Sequence, residues 1–94
     1  MKGIIWYQSD REKAVKKMLD ILFEYQAQGI GYKRVYMTRS SPSIFLDNGD
    51  TWSCHRAGVF ARGNRCDTGL IDSAIPQDII DTVVKPCSKS YDYY

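Results

Sequence analysis

The sequence predicts a small α+β domain in which two helices pack on a sheet, in the order β-α-β-β-β-β-α. Three observations support this fold class: an amphipathic helical pattern near the N-terminus, several short apolar runs separated by turn residues, and an Asn-Gly dipeptide between two of those runs. A chain of 94 residues is long enough for one hydrophobic core and too short for two domains. We therefore expect one globular domain over residues 1–87, with a hairpin at its centre.

The first two predicted elements are a strand and a long helix. Residues 3–7 (GIIWY) are rich in β-forming side chains. From residue 11 to about residue 28, apolar side chains recur at helical spacing, which predicts one buried helix face. Ser9 lies three residues before Glu12 in the S-x-x-E pattern of a capping box, and Gly29 supplies the expected stop.

The middle of the chain predicts three strands, two of them joined as a hairpin. These strands occupy residues 32–38, 44–47 and 50–54, and the last two flank Asn48-Gly49. A two-residue turn pairs Leu46 with Thr51, Phe45 with Trp52, and Ile44 with Ser53. In this register Phe45 and Trp52 share the face that we expect to pack on the helix.

The C-terminal third predicts a strand, a helix and a polar tail. Residues 68–72 form the strand, residues 76–84 form a helix opened by Pro76, and Pro86 is expected to end that helix. The segment 88–94 (SKSYDYY) has three alternatives: a frayed terminus, an edge strand or an interaction tag. Frayed termini are the commonest outcome for such segments in proteins.

Composition excludes several classes of protein. A net charge of +2 permits a nucleic-acid partner without implying one. The three cysteines lack metal-ligand spacing and predict reduced thiols, and no apolar run is long enough to span a membrane. The N-terminal residues do not resemble a signal peptide, so we expect the protein to stay in the cytoplasm, which is the host cytoplasm if the chain is phage-encoded.

The sequence contains few groups suited to catalysis. It has neither a GxxxxGK[ST] phosphate loop nor a GxGxxG motif. His55 is the only histidine, and its neighbour Cys54 should point to the opposite face of a strand. Asp47 and Asp50 flank the Asn-Gly turn, where aspartate is a common turn residue. We therefore expect no catalytic residues, metal or cofactor.

A basic loop followed by a strand-end acid is the candidate binding site. The loop GVFARGNR can present guanidinium groups to phosphate or carboxylate, and an aromatic ring beside them can stack on a base. Alternatively, an arginine of the loop pairs with Asp67 or Asp72 and only braces the fold. The candidate site residues are Arg56, Phe60, Arg62, Asn64, Arg65 and Asp72.

These segments resemble part of the large subunit of phage terminases. SIFLDNGDTW resembles a hairpin of that family, ARGNRCD an Arg-Gly segment, and TGLIDSAIPQDIIDTVVKP the Walker B region, while KGIIWYQSDREKAVKKMLDIL matches the preceding β-α unit. The phosphate loop is missing, and Ser73 follows Asp72 where the family places a catalytic glutamate. The resemblance implies a remnant that kept the fold and lost the ATPase activity.

We therefore expect a non-catalytic, phage-type binding protein that inhibits or sequesters host machinery or defence, as anti-CRISPR and other anti-defence proteins do. Its expected partner is a host protein or an anionic ligand, either nucleic acid or a phosphorylated small molecule. One alternative is a small metal-dependent hydrolase or nuclease that uses Asp72 with Asp47, Asp50 or His55. Others are a packaging-related nucleic-acid-binding accessory protein, and a module that forms a homodimer through a strand edge or its tyrosines.

Overall fold

The computed structural model describes residues 1–39, 41–58, 61 and 63–94, which form six strands and two helices. In chain order these are β1 (Lys2–Tyr7), α1 (Arg11–Ala27), β2 (Tyr32–Tyr36), β3 (Ser43–Leu46), β4 (Thr51–Arg56), β5 (Cys66–Ile71), α2 (residues 77–87) and β6 (Ser88–Tyr93). All six strands belong to one mixed sheet of order β2-β3-β4-β1-β5-β6. The predicted α+β class, with two helices packed on a sheet, is confirmed.

Strand direction divides the sheet into two parts. β4, β1, β5 and β6 are parallel, whereas β3 runs antiparallel to β4, and β2 runs antiparallel to β3. The four parallel strands therefore all end at one side of the sheet, called here the carboxyl edge, and all begin at the other, called the amino edge. Ligands of open α/β sheets commonly bind beyond the carboxyl ends of parallel strands.

The central strand β1 is buried on both faces. Ile5 and Tyr7 pack in the cluster under α1, and Ile4 and Trp6 pack in the cluster under α2. Because side chains alternate along a strand, a strand covered by helices on both sides must be almost entirely apolar. The sequence GIIWY meets this requirement, and the predicted first strand is confirmed.

The predicted cap of α1 is shifted by one residue. Asp10, rather than Ser9, is the N-cap, and its Oδ1 accepts the N–H of Lys13 at 3.0 Å. Asp10 also has the preferred chemistry for this position, since its carboxylate is favoured at the positive end of a helix. Gly29 follows the helix with a φ of 82°, a left-handed conformation that favours glycine, so the predicted stop is confirmed.

The predicted hairpin register is wrong by one residue. Ile44 lies opposite Trp52, and Phe45 lies opposite Thr51. The connection has three residues rather than two: the N–H of Leu46 donates to the carbonyl of Asp50 at 2.9 Å, and Gly49 adopts a φ of 92°. A slip of one residue moves each side chain to the other face, so Phe45 is exposed on the face opposite Trp52.

Helix α2 contains a π-helical turn. Its α-helical ends, Gln77–Ile79 and Lys85–Cys87, flank the π-helical residues Ile80–Val84, where the N–H of Lys85 donates to the carbonyl of Ile80. Pro76 is the N-cap, but Pro86 does not end the helix, which runs to Cys87. In an α-helix Pro86 would clash with the preceding turn, and the wider π-helical turn just before it relieves that crowding.

The C-terminal segment forms an edge strand, one of the three alternatives that the sequence left open. β6 pairs in parallel with β5, and Tyr94 continues this contact because its N–H donates to the carbonyl of Ile71 at 3.0 Å. Residues 88–94 are therefore part of the sheet rather than a tail outside a domain of residues 1–87. Neither helix in the described chain has the length and apolar character needed to cross a membrane.

Candidate binding surfaces

Asp72 lies at the carboxyl edge, directly after β5, and is only 3% exposed. Its Oδ1 accepts the N–H of Ala74 at 3.0 Å and lies 3.2 Å from the Nζ of Lys13, in the first turn of α1. The same Nζ lies 5.3 Å from the centre of the Tyr94 ring. The carboxylate thus joins the turn after β5, the start of α1 and the end of β6.

This arrangement gives Asp72 a structural role. A buried carboxylate is costly unless it is paired and hydrogen-bonded, and Lys13 and Ala74 supply those partners. Burial, followed by the nearby charge of Asp72, raises the pKa of the Tyr94 hydroxyl. That hydroxyl accordingly stays protonated and donates to the carbonyl of Trp6 at 3.0 Å.

Of the six sequence-predicted site residues, the four that the structure describes are divided between opposite edges of the sheet. Arg56 ends β4 at the carboxyl edge, two strand spacings or about 10 Å of backbone from Asp72. Arg65 precedes β5 at the amino edge, beside the last turn of α2, so the length of β5 puts roughly 20 Å between it and Asp72. Asn64 adjoins Arg65, and Phe60 and Arg62 lie outside the described residues.

The bracing alternative is not found for Arg65. Asp67 accepts the backbone N–H of Lys2 at 2.8 Å and lies 3.4 Å from the Nζ of Lys89. The Lys2 N–H, and then Lys89, lower the pKa of Asp67. Within the described ranges, Asp67 and Asp72 are therefore both paired with lysines. The alternative that Arg62 braces the fold concerns a residue outside those ranges.

The acids proposed for the hydrolase alternative are far apart. Asp50 lies at the amino edge, where it accepts the hydroxyl of Tyr25 at 2.8 Å and lies 3.2 Å from the N-terminal ammonium. The Tyr25 hydrogen bond is the largest cause of its lowered pKa. Asp72 lies at the opposite edge, so the two carboxylates do not form a pair. In the part of the chain that the structure describes, no three His, Cys, Asp or Glu side chains are grouped to hold a metal ion.

His55 and Cys54 point to opposite faces of the sheet, as their adjacency predicts. The His55 ring lies 6.2 Å from the Trp6 ring on the α2 face, and burial lowers its pKa. The Cys54 Sγ lies 3.9 Å from the Sδ of Met18 in the core under α1, and burial raises the pKa of the thiol to about 12. A catalytic dyad of these two residues is excluded by this geometry.

A groove of about 550 Å³ lies between α1 and the strands β5 and β6. Its lining includes Lys17 and Glu24 from the helix, and Asp50 and Asp92 from the sheet side. Charges of both signs are therefore interspersed along it. Three of these four charged side chains are carboxylates, so the groove carries a net negative charge and does not favour an anionic ligand.

A second surface, which sequence reasoning missed, lies where the α2 face of the sheet is uncovered. The core under α2 includes no described side chain of β2 or β3. Here Lys33, Arg34, Tyr36 and Phe45, together called the β2 surface, line a groove of about 260 Å³. The Tyr36 and Phe45 rings meet edge to face at 5.8 Å, and the Nη1 of Arg34 donates to the Tyr36 hydroxyl at 3.2 Å.

The predicted hairpin register did not indicate this surface, because it assigned Phe45 to the face of the sheet that α1 covers. Tyr36 and Phe45 are 41% and 38% exposed. One signal was present in the sequence: residues 32–39 (YKRVYMTR) contain three cations and no acid. Placing Phe45 beside them required the three-residue turn, which the Asn-Gly pair alone does not indicate.

Comparison with known proteins reveals a distant structural likeness. The chain superimposes on the large terminase of a thermophilic bacteriophage with a TM-score of 0.60 and 15% sequence identity, covering 98% of this chain and 25% of that chain. No model of a known protein family matches the sequence, and no curated protein does. The likeness shows a shared fold over about a quarter of that terminase's length, which supports the distant terminase-like resemblance at the level of fold.

Proposed function

We propose that the protein is a non-catalytic, phage-type binding protein that inhibits or sequesters a component of host machinery or defence, as anti-CRISPR and other anti-defence proteins do. The β2 surface carries this proposal, because it exposes two cations and two aromatic rings where no helix of the described residues covers the sheet. Aromatic residues and arginine are enriched at protein interfaces and among the residues that contribute most to binding.

The carboxyl edge supports the non-catalytic part of the proposal. Asp72 occupies the position that resembles a Walker B acid, yet its Oδ1 holds Lys13 and the turn at Ala74. A general base must be within reach of a substrate proton, whereas this carboxylate is buried and engaged in an ion pair. The likeness to a bacteriophage protein supports the phage-type part.

A packaging-related accessory protein that binds nucleic acid is the second candidate. The observation that favours it is the fold shared with a quarter of a large terminase. No comparable observation favours the metal-dependent hydrolase, since Asp50 and Asp72 lie at opposite edges of the sheet.

Affinity capture from a host lysate, with quantification of each recovered protein, tests the proposal. We expect one or more host proteins to be retained by the wild type and lost with Phe45→Ala, while Arg65→Ala retains them. Loss with Arg65→Ala alone would move the binding site to the basic loop.

A parallel assay tests the catalytic alternative. We expect no hydrolysis of nucleoside triphosphate, DNA or RNA with magnesium or manganese, and equal signals from the wild type and Asp72→Asn. Hydrolysis that disappears in Asp72→Asn would overturn the non-catalytic assignment.

A further inference from the structure

The free edge of β2 offers a row of backbone hydrogen-bonding groups. β2 is the outermost strand of the sheet and pairs only on its inner side, with β3, in the described chain. The outward N–H and C=O groups of such a strand can pair with an added strand. β2 has no proline, and after a register shift between Tyr32 and Arg34 its pairing with β3 is regular from Arg34 to Tyr36.

The charged side chains of β2 and of the three residues after it are all cations. Lys33, Arg34 and Arg39 lie within residues 32–39, which contain no acid. No ion pair of the described residues involves any of these three cations. Their charges are therefore available to an incoming anionic group.

Exposed apolar side chains are concentrated at the same edge. Eight large hydrophobic residues of the described chain are exposed, and four of them, Tyr32, Tyr36, Met37 and Phe45, lie on β2, just after it or on its neighbour β3. Because scattered exposed apolar residues are normal, it is their grouping on one edge that indicates an interaction site.

We propose that β2 is the docking edge for an extended, acidic segment of a partner protein, which adds to the sheet as a seventh strand. This inference rests on the proposed function and specifies the partner chemistry for it. Backbone hydrogen bonds to β2 hold the added strand, as in other complexes formed by strand addition. Its carboxylates face Lys33 and Arg34, and an apolar side chain enters the groove between Tyr36 and Phe45.

Two other occupants fit this edge less well. Nucleic acid would match the cations and rings, but it has no backbone groups spaced to pair with a β-strand. A second copy of the chain would bring the same three cations against those of the first, and like charges on adjacent strands destabilise pairing. An acidic peptide satisfies the strand geometry and the charge together.

Titration of the isotopically labelled full chain with short peptides tests the inference. The probe, called the Glu-Val peptide, is a blocked peptide of about eight residues, a common strand length, that repeats Glu-Thr-Val-Thr so that Glu and Val share one face; its control, the Lys-Val peptide, has Lys in place of Glu. We expect the Glu-Val peptide to shift the backbone amide signals of β2 and β3, and the Lys-Val peptide to leave them unchanged. Shifts confined to other elements, or equal shifts from both peptides, would overturn the inference.

A matched pair of variants tests the role of charge. Arg34→Glu should weaken Glu-Val binding at least about tenfold, because it replaces attraction with repulsion at the contact. Lys16→Glu changes the net charge of the protein by the same amount, but at an exposed position on α1. It should leave the affinity for the Glu-Val peptide within about twofold of the wild type. Equal weakening by both variants would indicate attraction to net charge alone and overturn the assigned edge.

An oligothymidylate titration separates this inference from the proposed function. We expect no shift of the β2 signals. Binding of the oligonucleotide that Arg34→Glu abolishes would overturn the peptide partner while keeping the β2 surface as a binding site. Failure of the proposed function has a different signature, namely host-protein capture that survives Phe45→Ala.

Discussion

The two outer strands of the sheet differ in what their side chains contact. β6 is fastened to the rest of the molecule: the Ser88 hydroxyl donates to the carbonyl of Val84 at 3.0 Å, and Lys85 lies over the Tyr91 ring. Lys89, the residue directly after Ser88, is ion-paired with Asp67. On β2, by contrast, the contacts of Arg34 and Tyr36 are with each other and with Phe45.

This difference separates a structural edge from a binding edge. Side chains that anchor a strand are already engaged in contacts, so a partner could use them only by breaking those contacts. Side chains that contact only one another at the surface can be reorganised at little cost. The comparison therefore predicts that changes at β6 affect stability, whereas changes at the β2 surface affect binding.

Ending the chain at Cys87, which removes β6, should have the largest effect. It exposes Leu70 and Ile71 and removes the Tyr94–Trp6 hydrogen bond. We expect a loss of roughly 5 kcal/mol or more, comparable to the whole stability of a small domain. Urea unfolding followed by circular dichroism measures it, and a cooperative transition at the wild-type midpoint would contradict the structural role of β6.

Gly69→Ala tests the close contact between β5 and β6. A Cβ at this position would lie 2.5 Å from the Ser88 Oγ and 3.2 Å from the Trp6 Nε1, so buried groups must shift. We expect a loss of about 1–3 kcal/mol in unfolding free energy. Gly58→Ala is the control, because a Cβ there meets nothing within 4 Å. Equal unfolding midpoints for the two variants would show that the contact between β5 and β6 is loosely packed.

Lys13→Met tests the contact that connects α1 to Asp72 and Tyr94. The substitution leaves a buried carboxylate without its cation, and because the Lys13 side chain is half-exposed we expect a moderate loss of about 1–2 kcal/mol. Lys16→Met, on the exposed side of the same helix, should change stability by less than about 0.5 kcal/mol. Chemical denaturation of both variants decides whether the Lys13 pair contributes to stability.

Mild acid should weaken the fold through His55. Burial lowers the folded-state pKa of His55 below the unfolded value of about 6.5, so the unfolded chain binds the proton more readily. This contribution to stability is present above about pH 6.5 and decreases as the pH falls below it. Thermal melts from about pH 7.5 to about pH 5.5 should show a smaller decrease for His55→Gln than for the wild type.

Replacing the charges of β2 should have the smallest effect on stability. Lys33→Ser with Arg34→Ser removes two exposed cations that form no ion pair in the described chain. We expect unfolding free energy to change by less than about 0.5 kcal/mol. A large loss in a thermal melt would show that β2, like β6, is anchored by its side chains.

Local sequence patterns predicted those elements that local chemistry determines. The apolar spacing of α1, the buried run of β1 and the left-handed Gly29 all follow from neighbouring residues. The hairpin register depended on turn length, which the flanking aspartates and Asn48-Gly49 leave open between two and three residues. The edge strand β6 depends on pairing with β5, and a polar segment does not reveal that pairing by itself.

The candidate site was harder to predict, because its contacts join distant positions. Lys13 and Asp72 are 59 residues apart in sequence, and no periodicity relates them. Arg65 and Asp72 are only seven positions apart, yet β5 places them at opposite edges of the sheet. Proximity in sequence therefore suggested a shared site that strand geometry prevents.

The π-helical turn of α2 has a consequence for how the chain can change in length. An α-helix rotates by about 100° per residue, so one residue more or less in this segment would turn Cys87 and Ser88 away from the core. β6 would then start with its alternation reversed relative to β5. The π-helical turn therefore sets the rotation at which α2 leads into β6, and with it the face on which each side chain of β6 lies. Insertions and deletions should be tolerated at the hairpin tip far more readily than between Ile80 and Val84.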